Sequence, residues 1–198
     1  MKIKRIIVSV SDKSGVVEFV NKLVNLGVEE ILSTGGTAKV LKESGLKVKD
    51  VSEYTGFPEM MNGRVKTLHP KVHGGILAIR DNKEHMLQAE ENNVAMIDMV
   101  VVNLYPFYKT ISDPASTFDD AIENIDIGGP TLIRAAAKNF KYVVVVIDPL
   151  DYEKVLSELE DSGDVSYETR LYLAAKVFKA ISEYDRTISE YLEKHLKK

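Results

Sequence analysis

"KRIIVSVSDKSGVVEFVNKLVNLGVEEILSTGGTAKVLKESGLKVKDV", residues 4–51, decides the fold class through the order of its hydrophobic patterns. Residues 4–10 are compact and β-branched, the pattern of a buried strand. "SDKSG" is a loop. "VVEFVNKLVNLG" places apolar residues at helical spacing and stops at Gly27. "EEIL" (29–32) is a short strand, "STGGT" turns the chain, and "AKVLKESG" is a helix that ends at Gly45. "KVKDV" (47–51) is a third strand. Strand, helix, strand, helix, strand is the pattern of a parallel sheet with crossover helices, an α/β fold.

Outward from that stretch the signals alternate in strength. Residues 52–75 show weak periodicity and many turn formers, and are expected to be a long functional loop. "KEHMLQAEENN" (83–93) predicts a helix, and "MIDMVVVNLY" (96–105) is the clearest strand of the chain. "STFDDAIEN" begins as a capped helix, with Ser116 or Thr117 as the cap and acids in the first turn. "IDIGGPTLIRAAAKN" (125–139) predicts a turn and then a helix with Pro130 at its first position. "KYVVVVID" (141–148) is the fifth strand. The pattern is then helical: "LDYEKVLSELEDSG" as one helix and residues 166–198 as one or two more. In the last stretch Leu173, Val177, Ile181, Ile188 and Leu192 can share a face, interrupted by Tyr184 and Asp185. The expected division is a core over residues 1–148 and helices over 149–198 that pack on it.

Composition narrows the chemistry. The chain has no cysteine, which excludes disulfides and thiolate zinc sites. Its first apolar run is "IIVSV", followed at once by Asp12 and Lys13, so no signal peptide is expected; no stretch approaches the roughly 20 apolar residues of a membrane span. A cytoplasmic protein without membrane contact is the default. With 26 Lys plus Arg against 30 Asp plus Glu, the formal net charge of −4 argues against nucleic-acid binding, which draws affinity from phosphate neutralisation. The cations are concentrated locally. "NGRVKTLHPKVHGG" (62–75) holds Arg64, Lys66, His69, Lys71 and His73 and no acid, a pattern suited to a small anionic ligand. His69 and His73 have the spacing of a helical metal pair, but Pro70 opposes a helix through His69 and no carboxylate is near in sequence, so no metal site is expected and structural histidines are.

Open α/β sheets bind ligands beyond the carboxyl ends of their strands. Those positions carry Ser11, Asp12, Lys13 and Ser14, then Ser33, Thr34, Gly35, Gly36 and Thr37, then the loop with Arg64, Lys66 and Thr67, then Asn103 and Tyr105. "STGGTAK" reads either as a tight strand–helix turn or as a cradle in which glycine lets backbone N–H groups and a helix N-terminus approach an anion. Lys13 and Arg64 at the same edge favour phosphate. In "IDIGG", Asp126 reads as a helix cap or as part of a site; Arg134 and Lys138 are four residues apart and can lie on one side of the helix that follows.

Five segments, "SVSDKSG", "STGGTAK", "FPEMMNGRVKTLHPKVHGGILA", "VVNLYPF" and "IDIGGPTLIRAAAKN", occur in order and resemble the IMP cyclohydrolase domain of the bifunctional purine-biosynthesis family. The resemblance implies a methylglyoxal-synthase-like fold: a five-stranded parallel sheet flanked by helices, with a C-terminal helical extension. It implies ring closure of 5-formamidoimidazole-4-carboxamide ribotide to IMP with loss of water, and neither metal nor cofactor. Matched onto this chain, Ser11, Asp12, Lys13, Thr34, Gly35, Gly36, Thr37, Arg64, Val65, Thr67, Asn103 and Ile127 would line the nucleotide site. Lys138 would be the acid or base, Lys66 and Tyr105 would meet the formyl oxygen, and Asp126 would orient Lys138 and the carboxamide. The family's formyltransferase domain is absent from this sequence, so no folate chemistry is expected of it, and a homodimer is the expected assembly. A methylglyoxal synthase and a nucleotide-sensing module on the same fold are the alternatives at this point.

Overall fold

The computed structural model describes residues 2–196. Five parallel strands form one sheet: β1 (Arg5–Val10), β2 (Glu30–Ser33), β3 (Val48–Asp50), β4 (Met99–Asn103) and β5 (Val144–Val146), in the order β3-β2-β1-β4-β5. Val8 lies opposite Ser33 and Val10 opposite Asn103, so the carboxyl ends of the central strands share one edge. The chain adds β2 and β3 on one side of β1 and returns to add β4 and β5 on the other. That reversal opens a crevice between the loops that follow β1 and β4.

Ten helices connect and cover the sheet among the described residues: α1 (Val16–Asn25), α2 (Gly35–Glu43), α3 (Val51–Thr55), α4 (Pro70–Leu77), α5 (Lys83–Glu91), α6 (Phe107–Ser112), α7 (Phe118–Glu123), α8 (Gly128–Lys138), α9 (Tyr152–Ser162) and α10 (Tyr167–Leu196). The first four residues of β4 and all three of β5 are fully buried, as expected of parallel strands covered on both faces. α9 packs on α1, where Phe19 stacks on Tyr152 with ring centroids 4.0 Å apart; α4 and α10 pack on α8. Residues 149–196 do not form a separate core: Val155, Leu159, Leu173 and Val177 are buried in the same hydrophobic mass as the sheet. Buried Arg170 reinforces the join by donating to the Lys141 carbonyl at 2.9 Å, and Lys176 by reaching Asp148 at 2.6 Å and Asp151 at 2.7 Å.

Four sequence expectations change here. Residues 52–75 are not one long loop; they hold α3, a 3₁₀ turn (Met61–Gly63) and the start of α4. α6 follows β4, where no helix is expected from the sequence. Pro130 is the third residue of α8 rather than the first, a position where its missing N–H still costs nothing. Over residues 166–198, where one or two helices are expected, α10 is one 30-residue helix, and the change is that Tyr184 does not interrupt its buried face but continues it; the two last residues of the expected stretch, 197 and 198, lie outside the described residues. Thr117 is the cap of α7, in a reciprocal pairing with Asp120. His69 is structural as expected: its Nδ1 accepts the Lys71 N–H at 3.1 Å and caps α4.

Candidate active site

The crevice between β1 and β4 is stapled by one side chain. Asn103 Oδ1 accepts the Ser11 N–H (2.7 Å), the Ser11 hydroxyl (2.8 Å) and the Asp12 N–H (3.0 Å), while its Nδ2 donates to the Asp12 carbonyl at 3.0 Å. An amide is the side chain for this task, because it alone offers both a two-lone-pair acceptor and a paired donor in one plane. The Asp12 carboxylate turns inward on its own loop: the Ser14 hydroxyl and then the Ser14 N–H hold its pKa below the ordinary value. Asp12 is thereby occupied, and the sign of the loop facing the crevice is left to Lys13.

Lys13 reaches the second loop. A Cβ at Gly36 would stand 3.9 Å from Lys13 Nζ, so the absence of a side chain there leaves the ammonium over the first turn of α2. That turn has no acidic residue and no side-chain cap, and Gly35 takes a φ of 49°, a conformation glycine adopts freely. Its free N–H groups and the Lys13 ammonium are donors and positive charge suited to an anion. Thr37 contributes only its backbone, because its hydroxyl is committed to Val10, accepting from its N–H and donating to its carbonyl, both at 3.0 Å. Thr34 sits with its hydroxyl 3.4 Å from Ser9 Oγ.

The basic segment folds into a tight turn. Met60 and Val65 pair antiparallel, with Met61, Asn62 and Gly63 all at positive φ. Arg64 is paired with Glu123 of α7 through two hydrogen bonds. Both partners are exposed, so exchange of that carboxylate for a ligand phosphate costs little. Lys66 Nζ lies 3.9 Å from Glu59 Oε1. Thr67 is buried against α8, its hydroxyl 2.9 Å from where a Cβ on Gly128 would be.

α8 begins beside this turn. Asp126 is half-buried, and its Oδ1 accepts the Gly129 N–H at 2.9 Å. Burial pushes the Asp126 carboxyl above its ordinary pKa; the backbone N–H groups of Gly129 and Gly128 and the Lys66 ammonium pull the other way. Gly129 is required here, since a Cβ would overlap Asp126 Oδ2 and stand 3.1 Å from Leu104 Cδ2. Tyr105, next in the chain, is exposed along a cleft of about 470 Å³ that it shares with Asn103 and Tyr184. Asp126 thus accepts an N–H of the first turn of α8 from the residue before its cap, and it is a half-buried carboxylate under the influence of a lysine, an environment often found at functional acids and bases.

Lys138 is not brought together with the other expected site residues within this chain. α8 starts at the site and runs antiparallel to the strands for 11 residues, about 15 Å at 1.5 Å per residue. Lys138 is therefore exposed at the opposite edge of the sheet, where Asn139 donates to the carbonyls of Ile76 (2.7 Å) and Ala78 (3.0 Å) just before β5 begins. Spacing placed Arg134 and Lys138 on one helix side, but said nothing of the distance along the axis. Two residues of the site were not singled out as functional from sequence: Glu123, which holds Arg64, and Tyr184, whose hydroxyl accepts the Asp126 N–H at 2.8 Å. The only signal for Tyr184 was an aromatic hydroxyl inside a helix face otherwise aliphatic.

Comparison with known proteins agrees with this fold. Residues 15–131 match the MGS-like domain family. The chain belongs to that family. Beyond the MGS-like segment, residues 136–198 match the AICARFT/IMPCHase bienzyme family. The MGS-like chain is 60% identical over 193 residues to the bifunctional purine biosynthesis protein PurH of Bacillus mycoides (strain KBAB4), covering 98% of this chain and 38% of that protein. PurH of Bacillus cereus (strain ATCC 10987 / NRS 248) gives the same figures, 60% over 193 residues, 98% and 38%. The chain thus spans 38% of the length of these curated relatives. The solved structure described as "Crystal structure of ForH" superposes on this MGS-like chain with a TM-score of 0.82 at 35% identity, covering 94% of this chain and 97% of the other.

Removing the staple tests the crevice. Asn103→Ala deletes four hydrogen bonds at the end of β4; at about 0.5–1 kcal/mol each, net of water, it should cost about 2–4 kcal/mol in urea denaturation. It should also raise the KM for a phosphorylated ligand more than it lowers kcat, because it loosens the loop that carries Lys13.

Proposed function

We propose that the protein is an IMP cyclohydrolase that closes 5-formamidoimidazole-4-carboxamide ribotide to IMP with release of water. The observation that carries this reading is the placement of Asp126, Lys66 and Tyr105 around the end of β4, beside the phosphate cradle of Lys13 and the α2 turn. The identity shared with PurH and the match of the C-terminal residues to the AICARFT/IMPCHase bienzyme family support it.

The chemistry asks for little more than those groups. The cradle, with Ser11, Thr34, the amides of Gly35, Gly36 and Thr37, and Arg64 released from Glu123, takes the phosphate. Val65, Thr67, Asn103 and Ile127 line the rest of the ribotide. Held in this way, the carboxamide nitrogen and the formyl carbon meet without the entropic cost of finding each other. The carboxamide nitrogen attacks the formyl carbon and gives one N–H proton to Asp126, whose raised pKa suits it to the task. The negative charge that forms on the formyl oxygen is met by the Lys66 ammonium and the Tyr105 hydroxyl; losing one such donor costs about 10²–10³-fold in rate. The oxygen then leaves as water, carrying the proton taken from the carboxamide and a second from the formamido nitrogen, and the purine ring is complete. This division of labour has no place for Lys138. We place the reaction in the cytoplasm, with a homodimer as the assembly to be checked by sedimentation.

The test is conversion of the formylated ribotide to IMP, followed by absorbance, with dihydroxyacetone phosphate as the competing substrate of a methylglyoxal synthase. IMP formation is expected, and turnover of dihydroxyacetone phosphate in its place would overturn the reading; so would binding of IMP without turnover of the precursor, the mark of a sensing module. In the same assay Lys66→Ala should lose about 10²-fold in kcat, whereas Lys138→Ala should keep kcat within about twofold, its ammonium being a helix length from the reacting atoms. A large loss in Lys138→Ala would mean that a second chain delivers this lysine.

A further inference from the structure

The C-terminal helix reaches the site. Tyr184 lies on α10, 58 residues from Asp126 and beyond the MGS-like segment, yet its hydroxyl oxygen accepts the Asp126 backbone N–H at 2.8 Å. The ring is seated firmly: Tyr184 is 9% exposed and packs edge-on against Phe107, with Ala121 completing a small second core beneath the Asp126 turn. The same tyrosine borders the cleft that Asn103 and Tyr105 share. Phe107, two residues after Tyr105 and at the start of α6, also packs edge-on against Tyr191, so Tyr184 sits in an aromatic cluster shared by α6 and α10.

The Asp126 carboxylate is held by the Gly129 N–H at 2.9 Å, and the residues on either side of Asp126 by backbone bonds: the Ile125 N–H donates to the Ile122 carbonyl at 3.2 Å and the Ile127 carbonyl accepts the Thr131 N–H at 3.2 Å. None of these bonds reaches the Asp126 backbone N–H itself. The Tyr184 hydroxyl supplies the second point. Two points on one residue, one on the side chain and one on the backbone, define where Oδ2 stands, and a proton transfer is sensitive to displacements well under a hydrogen-bond length.

We propose that Tyr184 is a positioning residue for ring closure: by holding the Asp126 amide it aims the free carboxylate oxygen at the ribotide's carboxamide, so that α10 is part of the catalytic apparatus and not only a cover for the sheet. The inference rests on the function proposed above, and its test separates the two.

Tyr184→Phe removes the hydroxyl and keeps the ring, so the second core stays filled. Two readouts are compared with the parent chain and with Tyr191→Phe, a control from the same aromatic cluster. Amide hydrogen exchange, which needs no substrate, should show the Asp126 N–H exchanging faster in Tyr184→Phe while its neighbours in α8 are unchanged. Ring-closure kinetics should show kcat lower by about 3–10-fold, the equivalent of one hydrogen bond, with KM within about twofold; Tyr191→Phe should change neither. Faster exchange with unchanged kcat, or a loss confined to KM, would overturn the positioning role. Unchanged exchange would overturn the hydrogen bond on which it depends. A parent chain that binds IMP but does not close the ring would refute the reaction, and the role with it, whatever the exchange shows.

Discussion

Asp126→Asn should lower the ring-closing rate by about 10²–10⁴-fold, the range for loss of a general base, while leaving the protein folded. Asparagine is isosteric, and its Oδ1 can still accept the Gly129 N–H that aspartate now holds at 2.9 Å. What it cannot do is take a proton from the carboxamide nitrogen. The pH dependence separates this from a fold defect. Burial holds the Asp126 carboxyl above its ordinary value, and the base works only when ionised. In the parent chain kcat should therefore fall as pH drops through that raised value, earlier than for a solvent-exposed aspartate. In Asp126→Asn this acidic limb should vanish and a low, flat rate remain. Stability should move in the opposite sense. A carboxyl whose folded pKa exceeds its unfolded one favours the native state when protonated, and that contribution is lost as pH rises through the folded value. At neutral pH the ionised group costs stability, so Asp126→Asn should be as stable as the parent or slightly more so in urea denaturation, even as it loses its activity. A variant both inactive and unstable would remove Asp126 from its assigned role as base.

Gly75→Ala should be the most damaging of the single methyl additions. Alanine is ordinarily the better helix residue, by close to 1 kcal/mol, and Gly75 lies inside α4. Here a Cβ would overlap the Ala95 carbonyl oxygen, a backbone atom, and would stand 3.3 Å from Ile97 Cγ1. The Gly75 carbonyl also accepts the Ile97 N–H at 3.0 Å, so helix and chain cannot separate without losing that bond. Ile97 leads directly into β4. The expected cost is about 3 kcal/mol, the upper end of overpacking, or a fall in Tm of about 6–12 °C for a chain of this size. Gly74→Ala is the control: its Cβ would meet only the Val94 side chain, Cγ1 at 3.1 Å and Cγ2 at 3.7 Å, with no backbone atom in the way. Thermal unfolding followed by circular dichroism should show a large shift for the first and a small one for the second, and equal shifts would mean that helix propensity rather than backbone approach governs α4.

The two glycines illustrate what local pattern conveys. "VHGG" in the sequence is two residues without a side chain, and nothing in their neighbourhood distinguishes them; the distinction is made by residues 94–97, which pass beneath one and beside the other. The same holds for Lys66 and Lys138. Both follow short basic or helical motifs and both fit a resemblance, yet one acts on Asp126 just before α8 begins and the other is the last residue of that helix. Arg64 looked like a free phosphate ligand because its own loop has no acid; Glu123, 59 residues away, supplies one.

The order of the five strands, the parallel sheet, the glycine turn that starts α2 and the gathering of hydroxyls, amides and cations at the strand ends were determined by sequence alone. Each depends on a spacing of two or of three to four residues, or on a single backbone conformation, and such signals are complete within a few positions. Which of those residues meet was decided by the tertiary structure. Asp126 and Tyr184 approach because α10 buries Leu173, Val177 and Ile181 against α8 and the sheet, and Lys138 is carried away because α8 runs antiparallel to β4; both outcomes are set by the packing of whole elements, to which no short stretch of chain holds the key.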